Sequence, residues 1–242
     1  MHQLRSQLRR HPCHGCPDRE KHARWAERWW KLRRKTDQLS GQIRSRTGAV
    51  ARVFDRVTDV LTELGYLRED GDRTVIAGPG RTLSRIYGER DLLVSEALRR
   101  GIWEGIDPAA LAALVCALVF EPRREELGPG PQGPKGVFRR VFPATLELWS
   151  GLDELERAHD LTGSSAPSAG LSTAMHAWAR GASLDKALYD ADMAAGDFVR
   201  WSKQTIDLLD QISLVADAPL GGTARAAIDL IRRGIVAHST VA

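Results

Sequence analysis

The most constraining stretch of the chain is AALAALVCALVFE, opened by Asp107-Pro108. Asp before Pro is an N-cap signature, because the carboxylate can accept the orphan N–H groups of the first turn and Pro fits the first helical position. The helix that follows is apolar nearly all round. A helix with no polar face has to be surrounded by other elements, so it predicts the centre of a helical bundle. Cys116 within it reads as a small buried hydrophobe.

The elements predicted to surround it are mostly helical. DLLVSEALRR, from Asp91 to Arg100, is a helix stopped by Gly101. The spacing predicts further helices over Val137–Leu161, with a kink at Pro143, and over Leu171–Arg180, with Trp178 near its end. Residues 127–136 (LGPGPQGPKG) and 162–170 (TGSSAPSAG) read as loops, as does APLGG at 218–222 before a last helix from Thr223 to about His238.

Between them, Ser183–Asp217 reads as a short helix, a tight turn flanked by Asp190 and Asp192, and a long helix capped by Asp197. Phe198, Trp201, Thr205, Leu208 and Ile212 recur at spacings of 3, 4, 3 and 4, which is one helix face. Arg200, Lys203, Gln204, Asp207 and Gln211 fall on other faces. The result is an apolar back and a polar front that is basic at its N-terminal end.

Upstream, Trp25, Trp29, Leu32, Thr36, Leu39 and Ile43 form a heptad seam over a helix from about Asp18 to Arg46. No upstream segment offers it a clear partner helix, and Trp30 lies off the seam. A second helix starts at Thr47 or Gly48 and ends at Gly65. A hairpin signal follows, with 69–72 as its turn, Thr74–Ala77 as a strand and Gly78-Pro79-Gly80 as a second turn. Helices followed by a short hairpin resemble part of a winged helix. The expected fold class is therefore mainly α, with three parts: a basic arm and coiled-coil-type helix (1–46), a winged-helix-like segment (47–88) and a helical bundle (89–242).

The 242 residues carry a net charge of +4. Residues 1–46 hold 13 Lys/Arg against 4 Asp/Glu, a surplus of nine, and the body is slightly acidic. A basic arm can meet phosphate or be a solvated helix face. No apolar run is long enough to span a bilayer, no apolar signal segment opens the chain, and three Cys suggest a reducing compartment, so a cytoplasmic location is expected.

Several kinds of chemistry are not written in the sequence. There is no GxxxxGK[ST], no HExxH and no GxSxG. The single histidines His159, His176 and His238 read as surface or packed residues. His11, Cys13, His14, Cys16 and His22 cluster around a Cys-x-x-Cys pair, which is half of a zinc site with no second Cys pair to complete it.

Several segments line up, in order, with one family. YGERDLLVSEALRRGIWEGIDPAALAALVCALVFEPR resembles the start of the C-terminal (DSHCT) domain of superkiller/exosome-type superfamily 2 RNA helicases, including the bacterial HelY-like branch. AMHAWARGASLDKALYDADMAAGDFVRWSKQTIDLLDQI is similar to that domain's ratchet-helix signature, and IRRGIVAHSTV to its closing helix. HPCHGCPDREKHARWAER and VFDRVTDVLTELGYL look like the preceding HelY-type sequence. The resemblance implies the C-terminal part of an ATP-dependent 3′–5′ RNA helicase, with a ratchet helix at 198–216 lying along single-stranded RNA. It implies that ATP and Mg²⁺ belong to RecA-like domains not found in these residues, and that those domains and RNA-degradation machinery are partners. It also implies that residues 18–46 are one strut of an arm.

Carried over residue by residue, Glu96 matches a Glu that can reach an RNA base, Trp178 the Trp before Gly-Ala-Ser, and Arg200 the strand-contacting Arg. Lys203 and Gln204 stand where relatives often have two Arg, and Gln204 departs from that pattern. Trp178 reads equally as a packing residue and Glu96 as an ion-pair partner. The competing reading is an independent helix-turn-helix DNA-binding regulator, since a second helix bearing Arg200 and Lys203 could enter a major groove.

Overall fold

A computed structural model describes residues 2–71, 73–122, 133–189, 191 and 193–238, with side chains except at residues 2 and 42–47. The chain is mainly α-helical, and the described residues contain one two-stranded sheet. It divides into two compact units, Met1–Asp55 and Arg56–Ala242.

The first unit holds α1 (His2–Arg10), a 3-10 turn at Pro12–Gly15 and most of α2 (Arg19–Glu63). In the turn, the Cys13 N–H donates to His11 Nδ1 at 3.2 Å. α2 is one helix of 45 residues, about 68 Å long at 1.5 Å per residue. The helix break expected at 46/47 is absent. Gly48 costs roughly 1 kcal/mol against Ala inside a helix, and strongly helical flanks with no Pro override it. Of the heptad seam, Trp25, Trp29, Leu32 and Leu39 are exposed. The Ile43 side chain lies outside the described residues.

The second unit begins at the end of α2, which Gly65 closes with φ +76 as expected. β1 (Leu67–Asp70) pairs antiparallel with β2 (Arg73–Ile76), Leu67 opposite Ile76. The strand expected at 74–77 thus begins and ends one residue earlier. Gly78-Pro79-Gly80 is not a second turn but the start of α3 (Gly78–Leu83), because Pro is well tolerated in a first helical turn. α3 packs tightly on the hairpin. A Cβ at Gly80 would sit 2.5 Å from the Tyr66 carbonyl oxygen and 2.7 Å from Ile76 Cγ2.

The bundle comprises α4 (Asp91–Arg99), α5 (Pro108–Val119), α6 (Phe138–Ala158), α7 (Ser172–Ala179), α8 (Leu184–Ala187), α9 (Ala195–Val215), α10 (Ala218–Ile231) and α11 (Gly234–His238). Every residue of α5 from Ala109 to Leu118 is buried, and α6, α7, α9 and α10 pack around it. Asp107 caps it as the sequence predicts: its Oδ1 accepts from the Ala109 and Ala110 N–H groups, both at 3.1 Å. Pro143 lies inside α6.

Three expectations shift here. α9 starts at Ala195, so Asp197 is in its first turn rather than at its cap, where it still favours the positive helix end. APLGG is the first turn of α10, again with Pro near its start. The last helix is interrupted after Ile231, and Gly234 (φ +50) opens α11. Most of the 127–136 loop, Asp190 and Asp192, and residues 239–242 lie outside the described residues.

Candidate nucleic-acid interface

α9 presents its back to the core and its front to a cleft. Phe198, Trp201, Thr205, Leu208 and Ile212, the apolar face read from the sequence, are all buried. The Thr205 hydroxyl donates to the Trp201 carbonyl at 2.8 Å, so its polar group costs nothing when buried. On the other side Arg200 and Gln204 are exposed and Lys203 is half-buried.

Arg200 is fixed at its base and open at its tip. Its guanidinium lies 4.3 Å from the Trp201 ring centroid, a cation–π distance. Trp201 is itself held edge-on by Phe120 at 5.3 Å. Asp197, one turn back, stands 3.8 Å from Arg200 Nη2. The Arg200 side chain remains 55% exposed, so a phosphate can approach it.

The front of α9 forms one wall of a cleft of about 470 Å³. The facing wall is the segment from Ile86 to Asp91, and the end of α5 supplies Leu118, Val119 and the adjoining Glu121. The two walls are tied together where the Tyr87 N–H donates to Gln211 Oε1 at 2.7 Å. The Tyr87 ring itself is exposed. Arg90 braces the second wall from behind: its guanidinium donates to the Leu118 carbonyl, to the Ser165 carbonyl at 2.9 Å and to Ser165 Oγ at 2.7 Å. Burial pushes its pKa down, partly offset by Glu89 and Glu121. Burial likewise raises Asp91, against the hydrogen bond from the Leu92 N–H. With Glu89, Asp91, Glu121 and Asp207 around it, the cleft interior is acidic. Arg200 is the exposed cation among the residues that line it.

The five residues singled out in the sequence fall into two groups. Arg200, Lys203 and Gln204 share α9, and Arg200 and Gln204 line the cleft. Glu96 and Trp178 lie elsewhere and inside. Glu96 is fully buried on α4. Its carboxylate accepts from the Tyr66 hydroxyl at 2.8 Å, and Arg99 Nη2 and Arg100 Nε lie 2.6 and 2.8 Å away. Burial raises its pKa, but the hydrogen bonds from Arg99, Tyr66 and Arg100 outweigh it and hold the carboxyl below the usual glutamate value.

Trp178 is 3% exposed. Its indole N–H donates to the Ile231 carbonyl at 2.9 Å. The Arg233 guanidinium covers the ring at 3.7 Å, and Phe198 meets it edge-on at 5.7 Å. As placed here, neither Glu96 nor Trp178 offers a free face to a ligand. Trp178 packs beneath the first turn of α9, and Glu96 ties α4 to Tyr66 in the segment between α2 and β1.

One cleft residue was read from the sequence as part of the polar front and one was not. Gln211 continues the polar front of α9 two turns beyond Gln204, a signal the 3.6 period does carry. Tyr87 lies in an irregular connection with no periodicity to mark it. The Cys/His cluster does not close on itself. Cys16 Sγ stands 3.6 Å from His22 Nδ1, but no group of three metal-ligating side chains converges among the described residues.

A bundle built on a buried α5, with a long amphipathic helix fronting a polar cleft, defines a mainly helical domain. The chain belongs to the DSHCT (NUC185) domain family, whose pattern matches residues 73–239. It is 41% identical, over 96% of its length, to "Probable helicase HelY" of Mycobacterium tuberculosis (strain ATCC 25618 / H37Rv). Identity to the protein of the same name from Mycobacterium leprae (strain TN) is 38% over 97% of the chain. More distantly it is 25% identical, over 86% of its length, to "ATP-dependent RNA helicase mtr4" of Schizosaccharomyces pombe (strain 972 / ATCC 24843), of which it covers 19%. The chain spans about a quarter of the length of the HelY relatives it matches, 27% in each case.

Proposed function

We propose that this chain is the C-terminal nucleic-acid-channel module of an ATP-dependent 3′–5′ RNA helicase, and that α9 lies along single-stranded RNA. The observation that carries this reading is the front of α9, where an Arg braced on Trp201 stands exposed beside Gln204 at the edge of a polar cleft. Arg200 and Lys203 serve the phosphates and Gln204 offers a neutral hydrogen-bonding contact. Trp178 holds this surface in place from beneath, through Phe198.

In this reading the hairpin at 67–76 belongs to a winged-helix remnant, and the domain closes a channel with RecA-like domains that bind ATP and Mg²⁺. RNA-degradation machinery is the expected functional partner and the cytoplasm the expected location. No described helix is long and apolar enough to cross a membrane.

The test is fluorescence anisotropy of a labelled single-stranded RNA across a salt series. Arg200→Ala should weaken binding several-fold and reduce the salt slope by about 0.7, the contribution of one phosphate contact on a single strand. An unchanged slope would sink the reading. The helix-turn-helix alternative has less support. α8 has only four residues, and Asp207 and Asp210 are exposed on the helix that would have to enter a major groove.

A further inference from the structure

The first unit carries a basic, aromatic surface that the reading of α9 does not use. α2 turns about 100° per residue, so its residues sort into faces. The heptad seam, Trp25, Trp29, Leu32 and Leu39, occupies one side. Trp30, Lys31, Arg34, Lys35 and Gln38 lie about half a turn round from it, and with Ala23, Ala26 and Glu27 they line a shallow groove of about 590 Å³. A helix laid on the seam would leave this second face open.

The chemistry of the groove is specific. Trp30 is 63% exposed, and its ring is steadied edge-on by Trp29 at 5.0 Å. Lys31, Arg34 and Lys35 surround it, and none of them has a carboxylate within salt-bridge distance among the described ion pairs. Asp37, paired with Arg33 at 3.3 Å, stands seven residues from Trp30 and three from Arg34, so this pair borders the groove on one side. Glu27 is the acidic residue of the groove. Ala23 and Ala26, two turns and one turn N-terminal to Trp30, are the small residues of the groove. A flat exposed aromatic among three unneutralised cations matches a polyanion whose bases are free to stack, which is what distinguishes a single strand from a duplex or an acidic protein.

We propose that this face of α2 is a second binding surface for single-stranded nucleic acid, with Trp30 as the stacking platform and Lys31, Arg34 and Lys35 as phosphate contacts. It is separate from the α9 front in residues and in structural unit, and it does not depend on that reading.

The experiment uses the full 242-residue chain and a fluorescein-labelled mixed-sequence RNA oligonucleotide, single-stranded and as a duplex. The variants are Lys31→Ala/Arg34→Ala/Lys35→Ala, Trp30→Ala and Trp30→Phe, each made with Arg200 intact and in an Arg200→Ala/Gln204→Ala background. The triple variant should lose about tenfold in single-strand affinity and about 2 in salt slope, the sum of three phosphate contacts, in both backgrounds. Trp30→Ala should weaken binding about fivefold and Trp30→Phe should restore most of it. Loss confined to duplex overturns the proposal. So does unchanged affinity with unchanged helicity, or a change in oligomeric state by light scattering with RNA affinity intact. If Arg200→Ala/Gln204→Ala has no effect while the triple variant does, the α9 reading fails and this one stands. The reverse pattern does the opposite.

Discussion

Glu96 shows how far a residue's surroundings depend on the fold rather than on its own helix. On the sequence it is a Glu in an amphipathic helix. In the structure it is a fully buried carboxylate holding Tyr66, Arg99 and Arg100. Arg99 and Arg100 were in plain view, but Tyr66 lies 30 residues away and only the fold brings it there. The consequence is measurable. Because the folded carboxyl titrates below its ordinary value, its contribution is complete above about pH 4.5 and is lost as the pH falls through the lowered folded value. Glu96→Gln should therefore lower the Tm at pH 7 by about 5–10 °C, corresponding to roughly 2–3 kcal/mol. The gap to the parent should narrow on acidification toward pH 3, and a gap independent of pH would contradict the assignment. Cys116 is the opposite case, since its apolar context was enough to predict burial. Burial pushes its thiol up to about 12, with a small opposing effect from Thr205. With the chain freshly reduced, a maleimide should modify Cys13 and Cys16 under native conditions and reach Cys116 only after unfolding. Mass spectrometry of the labelled chain counts the thiols.

At the scale of elements, the sequence was reliable about type and less so about ends. α5 and its Asp107 cap were legible because cap, Pro and apolar run agree. The start of α9 was not, because Asp197 has the side chain a cap prefers, yet the helix begins two residues before it, after Ala194, which makes no side-chain cap. Gly-Pro-Gly at 78–80 was misread as a turn because those residues favour turns in general. Here Gly80 serves a different need, the close approach of α3 to the Tyr66 carbonyl. The Ala77 N–H donates to the same carbonyl at 2.9 Å, so that oxygen has little freedom to retreat. Gly80→Ala should cost about 2–3 kcal/mol, as overpacking against backbone does. It should separate the hairpin from α3, lowering the urea midpoint. An unchanged midpoint would mean the hairpin yields freely.

At the scale of the molecule, the two units differ in what holds them. The buried hydrophobic cluster runs from Ile86 to Val236 and lies wholly in the second unit. Among the described residues of the first unit the large apolar side chains are exposed, from Leu4 and Leu8 to Trp25, Trp29, Trp30, Leu32, Leu39, Val50, Val53 and Phe54. Its helicity therefore rests on backbone hydrogen bonds, helix propensity and local pairs such as Arg33–Asp37, each worth a few tenths of a kcal/mol. A helix of that kind opens by local fraying, whereas α5 opens only when the whole bundle does. Hydrogen exchange followed by mass spectrometry should separate the two regimes. Peptides from Pro108–Val119 should exchange only through global unfolding, with strong denaturant dependence. Peptides from residues 19–40 should exchange orders of magnitude faster and with little denaturant dependence. Adding single-stranded RNA should slow exchange in the second group if the Trp30 face binds it, and leave α5 unchanged. Protection over 19–40 that rises with protein concentration in the absence of RNA would instead assign the seam to a second copy of the chain, because only an intermolecular partner makes local stability depend on concentration.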